Sequence, residues 1–447
     1  MEDGRNNQSH DFIRIKADAI LKGLDSDLES KLFLKKQSDR TDDDDQQQQE
    51  IKSTKIDGVV GGVAGGVAYS SWIRGNYSIE EESRGVDEDG DAAELYDYPT
   101  RRCQYFDTHG FAVVQSFADS SEVIAMKDQM QALVDEEWDP NNTKPTVFRT
   151  DEKQIDEQGS DDYFLESANQ VHYFAEAQAM TTATATAASD KQLLKDEFAQ
   201  NKILALNKAG HGMHVRPGAF HDYTTSAKVR TLVGELGWVD PVVPQSMYIF
   251  KQARVGGEVT SHQDSTFLYT TPKQSCLGLW LALDDATITN GCLWVRPGSH
   301  REKTRRKFVK NPDHFGAEQI KIRSNVAKRD LSQSQMIFLN EPDTLPIAWE
   351  GKIPNGDGYQ GKGESESESE SWKNLFAAGF VPVECNAGDL VVFPGELDHL
   401  SLPNTSDQQR HTFQLHMVEG EGTGVTWSPD NWLQYPKGVP FLRINTL

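Results

Sequence analysis

Apolar residues are sparse through the first hundred positions. They are interrupted by "TDDDDQQQQE", a Gly/Val stretch and "IEEESRGVDEDGDAAE". Such a segment cannot bury enough apolar surface to offset the entropy lost on ordering, so residues 1–99 are expected to be an acidic, disordered extension. The pattern changes near Tyr105. "FDTHGFAVVQSF" predicts a polar start, a glycine and a short buried strand. In "SSEVIAMKDQMQALVDEEW", Val123, Met126, Met130, Leu133 and Val134 recur at helical spacing, and Ser121 is placed to cap the start. From Ser246 onward come short apolar runs bounded by Gly, Pro and polar turns: "SMYIFKQ", "CLGLWLALDDAT", "GCLWVRPGSH", "GDLVVFPGE" and "HTFQLHMVEG". Many short strands after a helical start predict a mainly β fold with flanking helices, a barrel or a sandwich, over residues 100–447. "NGDGYQGKGESESESESW" breaks this rhythm and predicts a disordered loop inserted at about 352–372.

Charge narrows the partners. With 45 Lys+Arg against 69 Asp+Glu, the formal net charge is −24. The field of such a protein opposes binding to nucleic acid or anionic lipid. Cys103, Cys276, Cys292 and Cys385 are widely spread and form neither a zinc motif nor a disulfide framework. The start lacks a basic and then apolar signal, and the run Gly58–Tyr69 is too short and too glycine-rich to span a bilayer. The closing "INTL" is not a peroxisomal tripeptide. These features predict an intracellular, cytoplasmic protein with no membrane span; its oligomeric state is not readable.

The chemistry begins at "SHQDSTFLYTTP". On an extended strand residues i and i+2 face one way, so His262 and Asp264 would converge on one point. A lone His-x-Asp pair is more often a polar turn than a ligand pair. "FPGELDHLSLPNTS" supplies a second imidazole, His399, after an apolar strand. Two His and one carboxylate on one face suit a non-haem iron that keeps open positions. Arg410 follows eleven residues later, after a turn. A hairpin-like return would bring it near the metal, where a buried Arg can grip a carboxylate through two charge-assisted hydrogen bonds. The ordinary alternative for Arg410 is a structural ion pair.

The segments "DDYFLESANQVHYFAE", "LNKAGHGMH", "QSMYIFKQ", "GGEVTSHQDSTFLYT", "LGLWLALDDATITNGCLWVRPGSH", "HTFQLHMVEG" and "TWSPDNWLQ" occur in order from about Tyr105 to the C-terminus. In these the chain resembles the phytanoyl-CoA dioxygenase family of Fe(II)/2-oxoglutarate-dependent oxygenases. The resemblance implies a double-stranded β-helix (jelly-roll, cupin-like) core. It implies that His262, Asp264 and His399 ligate iron and that Arg410 binds the distal carboxylate of 2-oxoglutarate. It further implies that Lys208, Met247, Trp280 and Ser401 contact that cosubstrate. Without the resemblance, Met247 and Trp280 read as core packing and Lys208 as an exposed charge. The implied reaction consumes O2 and 2-oxoglutarate, releases succinate and CO2, and hydroxylates a substrate. Relatives that halogenate replace the ligating carboxylate with a small residue; Asp264 therefore favours hydroxylation. The substrate is expected to be a small molecule, acyl-CoA or lipid-related, but fold does not transfer substrate choice. A protein of another class, a non-catalytic 2-oxoglutarate sensor, is the competing reading. His211, His214 and His221 lack an acidic or Cys partner and are expected to be structural or cleft residues. "REKTRRKFVK" reads as a solvated basic face.

Overall fold

The computed structural model describes residues 98–445 apart from 141–145, 148–160, 182–193, 199, 322–329 and 342–367. Except for Tyr98 and Pro99, which open a helix, the expected acidic extension lies outside the described residues. Residues 368–372, the end of the expected loop, begin a helix instead; the rest of that loop lies outside the described residues.

The α-helices of six or more residues are α1 (Tyr98–His109), α2 (Ser120–Glu137), α3 (Ala219–Thr224), α4 (Ala227–Glu235) and α5 (Glu368–Ala377). The start of α2 is closed by Asp119 rather than Ser121. The Asp119 carboxylate accepts from the amides of Ser121 and Glu122, and the Glu122 side chain accepts from the Asp119 amide. An Asp accepts more strongly than a hydroxyl beside the positive end of a helix. Val123, Met126, Met130 and Val134 are buried as the spacing predicts, and each full burial stabilises by roughly 1.5–3 kcal/mol.

In chain order the strands are β1 (Ala112–Val114), β2 (Thr146–Val147), β3 (Val171–Ala175), β4 (Leu206–His211), β5 (Pro241–Ile249), β6 (Val259–His262), β7 (Thr270–Thr271) and β8 (Leu277–Ala282). They continue with β9 (Leu293–Val295), β10 (Arg306–Lys310), β11 (Met336–Asn340), β12 (Val381–Val383), β13 (Leu390–Pro394), β14 (His399–Ser401), β15 (Thr412–Glu419), β16 (Thr426–Trp427) and β17 (Leu442–Arg443). A larger sheet runs β1-β13-β8-β15-β5-β4-β3-β2, with β17 also on β5, and a smaller one runs β12-β9-β14-β6. Between β5 and β15 the chain crosses repeatedly from one sheet to the other. The four strands β5-β15-β8-β13 then stand against β6-β14-β9-β12, all antiparallel to their neighbours. That topology is the double-stranded β-helix.

The larger sheet has two buried faces with different work. Leu277, Leu279 and Leu281 of β8, Leu390 and Val392 of β13, and Phe413, Leu415 and Met417 of β15 pack with α2, α3 and α4 in one apolar core. The alternate residues of the same strands point the other way. Register places Lys208 against Ile249, Met247 against Gln414, Gln414 against Trp280, and His416 against both Gln245 and Gly278. These residues share the inner face, which looks toward the smaller sheet.

Candidate metal and cosubstrate site

His262 ends β6 and His399 starts β14, and the two are direct cross-strand partners. Their ring centroids are 4.2 Å apart. Asp264 is not on the strand: β6 stops at His262, and Asp264 opens a 3-10 turn, Asp264–Thr266. The expected convergence is met through that turn. Asp264 Oδ1 is 3.5 Å from His262 Nε2 and 3.7 Å from His399 Nε2. An octahedral first-row ion separates neighbouring ligand atoms by about 3 Å, so a small closure would seat one. Among the described residues, this is the only His/Cys/Asp/Glu group so arranged.

The donors are prepared for a cation. His262 Nδ1 donates to the Thr260 carbonyl at 2.8 Å, and His399 Nδ1 to the Leu397 carbonyl at 2.9 Å. Each bond holds a proton on Nδ1 and turns Nε2, the atom that could ligate a metal, toward Asp264. Burial, together with the charge of His262, pushes His399 down to about 4. Burial would raise Asp264, but His416 and His399 nearby hold its carboxyl well below the usual range. Burial opposes charge on His262, yet the hydrogen bond and charge of Asp264 raise it overall. The cluster is thus an ionised carboxylate between imidazoles, which suits a divalent ion.

Lys208 and Met247 lie side by side on the inner face, and Arg410 lies beside Trp280, with Gln414 between Met247 and Trp280 in the sheet. Lys208 is 3 % exposed, not a surface charge. Its Nζ is 3.9 Å from Met247 Sδ and 3.2 Å from His211 Nε2. The Arg410 guanidinium sits 5.3 Å from the centre of the Trp280 ring. It donates to the Gly291 carbonyl at 2.8 Å and to Thr412 Oγ1 at 3.3 Å. Among the described residues it meets no carboxylate at ion-pair distance, and its Nε is buried without a partner. Burial lowers Arg410 to about 10, still charged at neutral pH. An enclosed cation without a counter-charge is costly unless an anion joins it. The approach of Arg410 is not a hairpin return: β14 and β15 lie in different sheets, and the turn between them carries the chain across the core. Ser401 lies buried two residues beyond His399 on β14.

Several contributors carry no motif. The Lys251 carbonyl accepts the Arg410 amide at 3.1 Å, while Lys251 Nζ pins the Gly257 and Leu402 carbonyls at 2.7 Å each. Asn431 of "WSPDNW" clamps the loop after His262 and Asp264, accepting the Tyr269 amide at 3.0 Å and donating to its carbonyl at 2.7 Å. Trp432 stacks on Phe164 at 4.5 Å and meets the His211 ring edge at 5.0 Å. Each of the three histidines has a partner within the protein: His211 accepts from Lys208, His214 bonds Ser246 and Tyr435, and His221 bonds the His214 carbonyl. "REKTRRKFVK" is not a uniformly solvated face. Arg305 is buried against Asp398, which also pairs with Arg296.

The chain is similar to known proteins over most of this domain. The family model described as phytanoyl-CoA dioxygenase matches residues 106–412. Phytanoyl-CoA dioxygenase 1 of Oryza sativa subsp. japonica is 36% identical over 74% of this chain and 92% of its own. Phytanoyl-CoA dioxygenase domain-containing protein 1 of Rattus norvegicus is 33% identical over 75% and 94%. A crystal structure of a non-heme alpha ketoglutarate dependent epimerase from nogalamycin biosynthesis aligns at 13% identity and a TM-score of 0.43, over 76% of this chain and 88% of that one. With a matching model across the core and relatives covered almost end to end, the chain belongs to the phytanoyl-CoA dioxygenase family of iron- and 2-oxoglutarate-dependent oxygenases.

Proposed function

We propose that the chain holds Fe(II) on His262, Asp264 and His399, binds 2-oxoglutarate with its distal carboxylate on Arg410, and hydroxylates a small-molecule or acyl substrate. The observation that carries this reading is the pair of imidazoles whose Nδ1–H groups are tied to nearby backbone carbonyls, turning both Nε2 atoms toward one carboxylate oxygen. Iron bound there supplies O2 activation coupled to decarboxylation of 2-oxoglutarate to succinate. The chain's own residues do the rest. Arg410 neutralises and orients the distal carboxylate, Trp280 and Met247 wall the carbon chain, and Lys208 and Ser401 offer polar contacts to the same ligand. Burial excludes water and strengthens each of these contacts. The presence of Asp264, rather than a small residue, supports hydroxylation over halogenation. Phe267, whose ring is 6.1 Å from His262, packs on Phe308 and Phe338 and gives the substrate side an aromatic wall. Among the described residues no helix is long and apolar enough to cross a membrane.

The test is succinate formation from 2-oxoglutarate under O2 with Fe(II), screened against small-molecule and acyl-CoA panels. Wild type is expected to form succinate above background, more so with the true substrate, and His399→Ala to form none. 2-Oxoglutarate binding without succinate, unaffected by His399→Ala, would instead make the chain a sensor.

A further inference from the structure

Asp264 has two carboxylate oxygens, and the structure gives them different partners. Oδ1 faces His262 and His399. Oδ2 accepts a hydrogen bond from His416 Nε2 at 3.0 Å. His416 Nδ1 lies 3.0 Å from Gln245 Nε2, whose N–H donates to it and so keeps the imidazole proton on Nε2. His416 is 3 % exposed and Gln245 5 %. The pair is set by register, since His416 and Gln245 are cross-strand neighbours on the inner face of β15 and β5. On the other flank His416 pairs with Gly278 of β8. A Cβ at Gly278 would stand 2.9 Å from the Phe393 ring and 3.3 Å from Asp264 Oδ2, so the absent side chain leaves room for that oxygen.

We propose that His416 is a positioning residue that commits Asp264 to offer a metal one oxygen, Oδ1, and thereby keeps open the coordination positions that 2-oxoglutarate must fill. The inference rests on the metal reading above. A carboxylate relieved of its outer partner can turn both oxygens to a cation, as carboxylates do in flexible sites. The extra oxygen would compete with the chelating cosubstrate while leaving the metal itself well bound. His416 thus acts through Asp264 and touches neither metal nor cosubstrate. Outer partners of this kind commonly change affinity or activity 10–100-fold, roughly.

The experiment separates metal binding from cosubstrate binding. Mn(II) affinity is measured by titration on the full chain. 2-Oxoglutarate affinity is then measured anaerobically from the visible charge-transfer absorption of the Fe(II) complex, which requires chelation. Wild type is expected to bind both. His416→Leu is expected to keep Mn(II) affinity within a few-fold and to bind 2-oxoglutarate roughly tenfold more weakly. His416→Gln, which returns an amide N–H near the Nε2 position, is expected to recover most of that loss. A folded His416→Leu with 2-oxoglutarate affinity within about twofold of wild type overturns the proposal, as does equal loss for metal and cosubstrate. If His416→Leu does not fold, Gln245→Leu decides: a roughly threefold weaker 2-oxoglutarate affinity supports the relay and an unchanged one overturns it. Absence of the band in wild type would defeat the underlying metal reading, a distinct result.

Discussion

Arg305 is buried against Asp398, whose carboxylate also takes Arg296 at 3.3 Å and accepts the Ser261 hydroxyl. Arg410 is buried more deeply but ends on a backbone carbonyl and a hydroxyl, beside an indole. The first cluster is balanced within the chain: two guanidinium groups and the further carboxylate of Glu302 surround a carboxylate with no exposure. It locks the residue preceding His399 and so serves the site from behind. The second keeps an unbalanced positive charge on the inner face. Buried charge that is paired reports architecture, whereas buried charge left unpaired implies a missing anion. This difference separates two arginines that sequence alone presents alike.

The contrast can be broken most forcefully at the balanced cluster. Asp398→Asn leaves Arg296 and Arg305 facing each other without a buried anion, and is expected to cost about 3–5 kcal/mol of stability, measured by urea unfolding. A loss near zero would erase the distinction. Arg410→Met is expected to do the opposite. Stability stays level or rises because an unpaired buried charge is removed, while 2-oxoglutarate affinity falls by about 2–5 kcal/mol, read by calorimetry. Arg410→Lys keeps the charge but loses the fork. Its 2-oxoglutarate affinity should lie between those of wild type and Arg410→Met, about tenfold below wild type.

The smallest effect concerns Glu396, three residues before His399 and without an ion-pair partner among the described residues. Burial raises its carboxyl to about 7. Because the folded value exceeds the unfolded one, its contribution to stability is complete below the unfolded value, 4.5, and is lost as pH rises through about 7. Removing the ionisation by Glu396→Gln should therefore flatten the stability profile between those values and stabilise the protein at pH 8 by on the order of 1 kcal/mol after solvent screening. Parallel wild-type and Glu396→Gln melting profiles from pH 5 to 8 would contradict this.

Much of the fold and half of the candidate site could be read from residues. Helix α2 shows its buried stripe because only one of its sides meets the core. His262, Asp264 and His399 stand out because few structural needs place two imidazoles and a carboxylate beside apolar strands. Lys208, Met247, Trp280 and Ser401 had no such signal and came only through family resemblance. His416, Gln245 and Gly278 stayed hidden for a physical reason. Strand β15 is buried on both faces, against helices outside and the site inside, with Gln414 among its few less buried positions. A strand covered on both sides loses the alternation that would reveal which residues point inward. Asp119 displaced Ser121 as the helix cap because the two compete two residues apart, a margin that sequence patterns do not resolve. The burial of Arg305 has no signal in the sequence because a basic run gives no sign of an acid that lies 93 residues away, next to His399.

The most direct test of the central claim is an anaerobic optical titration: Fe(II) is added to the full chain, then 2-oxoglutarate, while the visible spectrum is recorded. A weak charge-transfer band that saturates with 2-oxoglutarate in wild type, and is lost in both His262→Ala and Arg410→Met, is the predicted result. A folded, metal-loaded wild type with no band, or an unchanged band in His262→Ala, would contradict the account.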